Sequence, residues 1–536
     1  MRFTSKMNNS TSILLLKLIL ILHISLSVVI LAQQEPEPNN LRYCEKKLPK
    51  AFAPYTITDD MANVRFTSII FESLFKIDYT GEVIRDLAES FRIINNKVIK
   101  VRLIKGVLWS DGGELTAKDV KYTIKALAQS ERYSNLVANI ESIVIDSTYE
   151  ITINFLLPLS KEEMLNTLTF KILPWYKLDE LPLTPQSDIA KNPINTGPFI
   201  KSKTPRGILN LSANENYRKR DDKKRPFIDE INIYETPDIG TQMEYLRSNQ
   251  IDLIINLPQY AISDFESRGY QIKPYESLAF YFFAFNFNNK SLKIKNVRRA
   301  MVYGFDRKNV LDKVYQNRGR LISSPFPPGS IYNPAESSPI PFDEREAKKL
   351  LDESGYTMNE QGVRIDKEGN SLEFTLLSMR YEDDLINRVL TQFVSDMAKI
   401  GIKINRIDLE KDRFKERVLC EKDFDIAFGQ WVFNRISSAE PLFGSKFIKQ
   451  CGTNFISYSN PTIDRYFEII SKSDNIDEKK NLNRKVAAIL RDECPYIFCW
   501  TLNKTAAARQ EVRNFRTKLS PFGFFDFVYE WRKSGH

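Results

Sequence analysis

Histidine is nearly absent from this chain. Only two occur in 536 residues, His23 in an N-terminal apolar segment and His536 at the far end. The body between them therefore cannot build a Ser-His-Asp or Cys-His nucleophilic site, nor a histidine-ligated zinc centre. Cysteine is sparse: Cys44, Cys420, Cys451, Cys494 and Cys499. None of these stands at the C-x-x-C spacing of a zinc ribbon or a thioredoxin site. There is no Walker A sequence and no G-x-G-x-x-G after a strand pattern, so the usual phosphate-cradling loops are missing. Acids do stand side by side in Asp59-Asp60 and Asp383-Asp384. Neighbours on a strand or helix point apart, which argues against a paired-carboxylate glycosidase site. Internal repeats and low-complexity segments are also lacking. No enzyme, no resident metal and no cofactor is expected.

Long apolar runs are missing too. Leu18 to Ala32 is too short to cross a bilayer, which takes about 20 apolar residues. Arg2, Lys6 and Lys17 precede this run, and Gln33-Gln34-Glu35-Pro36-Glu37-Pro38 follows it. This pattern predicts a signal peptide over residues 1–32, cleaved near Ala32; an uncleaved anchor is the competing reading. No cysteine follows the run, so lipid attachment is not expected. The expected location is the periplasm, in soluble form.

The remainder has the composition of a soluble globular protein, 42% hydrophobic and 27% charged, and is long enough for two or three domains. The net charge of +9 is spread among acids. The one dense cluster, Arg218–Arg225 (RKRDDKKR), contains Asp221 and Asp222 and reads as a solvated loop. A nucleic-acid patch needs a larger surface of one sign, and no nucleic-acid partner is expected. An oxidising compartment permits disulfides. Two readings of the cysteines stand together. Cys420 and Cys451 pair across Phe424–Trp431, closing a loop of about 30 residues. Alternatively, all five are buried small apolar side chains.

Strand and helix signals alternate throughout, which argues for an α/β fold. In VRLIKGVLWSDGGELTAKDVKYTI (101–124) a strand runs through a turn at Trp109–Gly112 into a helix. Thr116 is placed as its N-cap and Asp119 as N3, and Val120, Ile124 and Leu127 make one buried face. Ile386, Val389, Leu390, Phe393 and Met397 fall on one face of another helix. Gly401 stops that helix, and Ile402–Ile404 begins a strand. Asp343 caps a further helix ending near Gly355.

The 101–124 segment resembles the signature of the large extracytoplasmic solute-binding proteins of ABC importers, the peptide-, dipeptide- and nickel-binding family. Further segments are similar to that family in the family's order: Asn195–Phe199 (NTGPF), Asn214–Tyr217 (NENY), Arg225–Ile231, and Asn286-Phe287-Asn288. Val297–Ala300, Phe305-Asp306-Arg307, Ala347–Tyr356 and Tyr458–Pro461 continue the series. The likeness runs from about residue 41 to 535. It implies a two-lobed periplasmic-binding-protein fold (type II, large three-domain form) with a ligand cleft between the lobes. Domain I would take 33–78, 195–285 and 500–536, domain II 79–194, and domain III 286–499. It also implies a monomeric receptor that binds a short peptide or peptide-like solute. The receptor would deliver it to an ABC permease and ATPase complex at the inner membrane. The alternatives are a non-peptide solute (oligosaccharide, opine, haem or cell-wall fragment) or a non-transport sensor or chaperone. The missing histidines argue against the nickel-binding branch.

Candidate ligand-binding residues follow from the same resemblance. In peptide-binding relatives, a Trp is followed three residues later by an Asp that pairs with the ligand's α-ammonium. Here Trp431 is followed by Asn434, which carries no charge, so Glu440 becomes the nearby candidate acid. Arg380 stands near the position of the arginine that holds the ligand carboxylate. Thr58 and Asp60 occupy the early loop that faces the ligand in relatives.

Overall fold

The computed structural model describes residues 39–56, 61–130, 133–178, 181–202, 207–218, 226–334, 338–381, 384–433, 437–517 and 525–533. The expected signal peptide, Thr58, Asp60, Asn434 and most of the 218–225 cluster lie outside the described residues.

The first strand, β1 (Asn40–Glu45), is followed by helix α1 (Met61–Ile70). The chain then builds a separate antiparallel sheet from β2 (Ala88–Ile94), β3 (Val98–Leu103), β4 (Ile140–Ser147) and β5 (Glu150–Phe155), in spatial order β2-β3-β5-β4. Helix α2 (Ala117–Ala128) covers one face, and α3 (Lys161–Thr167) follows β5. The α2 start is as the sequence predicts: Thr116 Oγ1 accepts from Lys118 N at 3.3 Å, and the Asp119 carboxylate accepts from Thr116 N at 2.7 Å. Val120, Ile124 and Leu127 are buried against Ile99, Val101, Ile151 and Ile153.

The chain returns through β6 (Phe199–Lys201), β7 (Ile208–Ala213), β8 (Glu230–Glu235) and β9 (Leu253–Ile254). Then the 15-residue β10 (Gln271–Phe285) leads into the second half. That half holds β11 (Gly319–Leu321), α4 (Glu344–Glu353), β12 (Glu373–Met379), α5 (Asp384–Lys399), β13 (Lys403–Leu409), β14 (Ile426–Val432) and α6 (Ile476–Glu493). Finally β15 (Tyr496–Ala508) crosses back. Asp343 caps α4, with its carboxylate accepting from Arg345 N and Glu346 N. Gly401 has φ +83° just past α5 and so supplies the left-handed turn the sequence predicts there. All five apolar residues expected on one face of α5 are buried.

Eleven described strands form one mixed sheet, in order β13-β12-β14-β10-β15-β9-β1-β8-β7-β6, with β11 pairing beside β15. Three bodies of core follow. One surrounds the four-stranded sheet, and another packs β1, β6–β9 and α1. The third packs the second half, including an aromatic layer of Phe280, Phe282, Phe443, Tyr496 and Phe498, and a smaller cluster with Leu246, Ile254 and Phe265 adds to the first half. Two lobes thus share one sheet, and β10 and β15 are the strands that run through both.

The segments that resemble the family signature touch one another. Ser110 N donates to Asn195 O at 2.8 Å, Asn216 Nδ2 to Trp109 O at 2.9 Å, and Asn214 Nδ2 to Gly197 O at 2.8 Å. Gly197 lies so close to α1 that a Cβ there would stand 2.2 Å from Ile70 O. Gly197→Ala is therefore expected to cost about 1–3 kcal/mol through forced backbone displacement. Urea denaturation checks this, and an unchanged midpoint would contradict the close approach.

The Cys420 and Cys451 sulfurs are joined in a disulfide that ties together the segments flanking β14. Cys44, Cys494 and Cys499 are buried free thiols. Burial pushes the Cys494 thiol up to about 11 and the Cys499 thiol up to about 12, so both stay protonated and unreactive. Each reading of the cysteines thus describes part of the set.

Candidate functional site

Strand direction locates the cleft. β1 runs parallel to β8 and β9, and β9 is antiparallel to β15. β15 is antiparallel to β10, and β10 to β14, while β12, β13 and β14 are mutually parallel. β1, β8 and β9 of the first lobe therefore point their carboxyl ends at the second lobe, and β12–β14 point theirs back at the first. Ligand sites of α/β sheets lie outside such carboxyl ends. Among the described strands, only β10 and β15 continue between the two sets. Their register is interrupted from Glu276 to Phe280, and again before Phe282. β15 is buried along its length except at Leu502, Asn503 and Lys504, which are half-buried at this crossover.

The residues singled out from the sequence are distributed around this gap. Trp431 is the penultimate residue of β14, opposite Phe280. Its ring stacks on Phe282 (centroids 6.1 Å apart, 17° between planes), and its Nε1 donates to Tyr496 Oη at 3.5 Å. It is half-buried, part of the aromatic layer on one side and accessible on the other. Val432 beyond it is 47% exposed. Arg380 follows the last residue of β12, so it too stands at a carboxyl end. Its side chain is 65% exposed and pairs with Glu410 at 2.5 Å. Glu440 opens a short helical turn (Glu440–Phe443), and its carboxylate meets Lys446 at 2.6 Å. Its charge is thus already partly balanced.

On the first lobe's side the cleft wall is charged and ordered. Arg65 of α1 donates to both carboxylate oxygens of Glu45, at 2.6 and 2.5 Å, and Glu45 is the carboxyl-terminal residue of β1. The two-pronged geometry is that of a strong charge-assisted pair. Lys504 of β15 stands beside it, directly across the ladder from Tyr275. Sequence reading passes over all three residues. The available signal for Lys504 is a lone charge in YIFCWTLNKTAAA, an otherwise apolar strand pattern.

The lobes also meet away from the sheet. Lys479 of α6 places its Nζ 2.8 and 2.7 Å from the two carboxylate oxygens of Glu163 of α3, with the lysine side chain only 3% exposed. The same carboxylate accepts from Ser160 N and Tyr332 Oη. Asn96 Nδ2 donates to Asp474 at 2.8 Å, a second contact between the same two bodies. Among the described residues no group of three or more His, Cys, Asp or Glu side chains is placed to hold a metal ion. None of the described helices is long and apolar enough to cross a membrane.

Comparison with known proteins fits this geometry. Oligopeptide-binding protein AppA of Bacillus subtilis is 25% identical over 491 residues, covering 87% of each chain. The solved structure of AppA from Bacillus subtilis in complex with a nonapeptide superposes with a TM-score of 0.76 at 23% identity. It covers 94% of this chain and 100% of that one, so the two share a fold. Nickel-binding protein NikA of Staphylococcus aureus is 24% identical over 488 residues, 90% of this chain and 91% of that protein. Heme-binding protein A of Haemophilus influenzae is 25% identical over 528 residues, 91% of each. The model of the bacterial extracellular solute-binding proteins, family 5 (middle), matches residues 82–450. With that match spanning most of its length, the chain belongs to the bacterial extracellular solute-binding proteins of family 5.

Proposed function

We propose that this protein is the periplasmic receptor of an ABC importer, and that it takes a short peptide or peptide-like solute into the cleft between its lobes. A membrane permease with its ATPases would receive the solute. The observation that carries this reading is the convergence of two sets of strand carboxyl ends on a gap bridged, among the described strands, by β10 and β15 alone. Unpaired backbone at such ends can hold an extended peptide through its own N–H and C=O groups, which tolerates varied side chains. The likeness to an oligopeptide-binding protein supports the same class. In this reading the lobes comprise domain I (33–78, 195–285 and 500–536), domain II (79–194) and domain III (286–499). Thr58, Asp60, Arg380, Trp431, Asn434 and Glu440 border the solute. The solute favours the closed form only through its higher affinity for that form. A hundredfold excess over Kd then stabilises the protein by about 2.7 kcal/mol.

Mass spectrometry of the solute released by denaturing protein purified from its own periplasm tests the reading, and a peptide is the expected finding. If Asn434 takes the place of the amine-binding acid, N-acetylated peptides should bind about as well as free-amine ones. An ammonium buried without a carboxylate would keep its desolvation cost. Asn434→Asp should then shift preference toward free amines by about 1–3 kcal/mol. Loss of binding on acetylation would instead assign the amine to Glu440 or Asp60. The likeness to a heme-binding protein favours a second reading, haem in the same cleft. Released haem would be seen directly by its absorbance, and the chain between His23 and His536 offers no histidine to bind it.

A further inference from the structure

Lys504 stands in the crossover with its charge uncompensated by any described residue. Among the described residues its Nζ has no hydrogen-bond or ion-pair partner. A like charge, the Arg65 guanidinium, acts on it. Arg65 engages both oxygens of Glu45. Arg65 is thus compensated by Glu45, while Lys504 brings a second cation near Arg65. Burial, and then Arg65, hold the Lys504 ammonium below its ordinary pKa, as expected for a charge drawn out of water without an anion. A buried ammonium is retained at a cost unless an anion compensates it. Tyr275, its cross-strand neighbour, is satisfied by Asn256 Oδ1 and Ile255 O, at 2.7 and 3.3 Å.

Position makes the missing anion a solute group. Lys504 lies in the three-residue stretch of β15 that alone escapes full burial, level with the gap between the carboxyl ends of the two lobes. We infer that Lys504 receives a carboxylate of the bound solute, so that the cleft selects acidic peptides, or acidic peptide-like solutes, that place a negative charge at the crossover. The inference rests on the cleft being the solute site, as proposed above. Bringing in a carboxylate would balance the second cation and complete a four-membered set of Glu45, Arg65, Lys504 and solute. A neutral solute would leave Lys504 as it is.

The test uses the full mature chain and capped tripeptides, acetylated and amidated, with a single Glu at each position in turn, each matched to its Gln counterpart. Titration calorimetry is expected to show at least one Glu peptide binding tenfold or more tightly than its Gln partner. Lys504→Met should bring that ratio to within twofold, and Lys504→Arg should keep it. Melting curves of both variants check that they fold. A second arm uses oligogalacturonate and its methyl ester, a carboxylated solute that is not a peptide. Lys504-dependent binding of the uronate with no peptide binding would keep the role of Lys504 and overturn the peptide reading. Absence of a carboxylate preference in both arms, or a preference that survives Lys504→Met, would overturn the role of Lys504.

Discussion

Lys479→Met is expected to lower stability by about 3–5 kcal/mol, because it leaves the Glu163 carboxylate without its cation at a buried contact. The pair is 316 residues apart in sequence, and its two members belong to different bodies. Glu163 caps α3, whose Met164 and Leu165 pack with the four-stranded sheet. Lys479 lies on α6, whose Val486, Ala487 and Leu490 pack in the second lobe. Breaking the pair therefore has an outlet that an ordinary core pair lacks. The bodies can separate at this contact and let water reach Glu163. Part of the loss should then show as opening rather than unfolding. X-ray scattering of Lys479→Met should give a larger radius of gyration than the parent, together with a lower melting temperature. The double variant Glu163→Gln, Lys479→Met removes both charges, and should recover most of both changes, since replacing a buried pair by neutral groups is often close to neutral. A strong coupling energy in this cycle is the signature of the direct contact. An unchanged radius and melting temperature in the single variant would show that the pair holds nothing together.

The scaffold is legible in the sequence because its determinants are local or periodic. The capping box of Thr116 and Asp119, the cap at Asp343 and the stop at Gly401 are each encoded within a few residues. The signature segments are legible for a related reason. Asn286 Nδ2 donates to Phe424 O and Lys422 O, at 2.7 and 3.0 Å. Arg298, 1% exposed, donates to Leu292 O, Lys293 O and Glu493 O. Arg307 is buried and donates to Phe498 O and Ile340 O. These side chains close backbone groups that would otherwise be buried unpaired. They specify how the chain packs, whatever solute it takes. The cleft is less legible for the opposite reason. Thr58, Asp60 and Asn434 lie outside the described residues, and Arg380 finds its partner Glu410 thirty residues away. Glu45, Arg65 and Lys504 meet only because three distant segments come to one end of the sheet. No spacing in the sequence announces such a set.

Trp431→Ala is the second large effect, expected to cost about 3 kcal/mol, the low end for a truncated Trp because one side of the ring is accessible. The indole lies between two demands. On one side it stacks on Phe282 and approaches Phe455 at 6.2 Å, within the layer that seats Tyr496 and Phe443. On the other it stands at the carboxyl end of β14, one residue before the exposed Val432. Stability and binding separate these two roles. Trp431→Phe keeps an aromatic ring against Phe282 but loses the Nε1 donor to Tyr496, and should restore most of the lost stability. If the accessible side of the indole forms cleft surface, Trp431→Phe should still bind the solute recovered from the native protein more weakly. It should weaken every solute tested by a similar factor, because what is lost is apolar area rather than one polar contact. If Trp431→Phe restores both stability and affinity in full, the ring serves the aromatic layer alone. The solute would then be held by strand ends and charges, with Lys504 and the Arg65–Glu45 pair as the groups nearest the crossover.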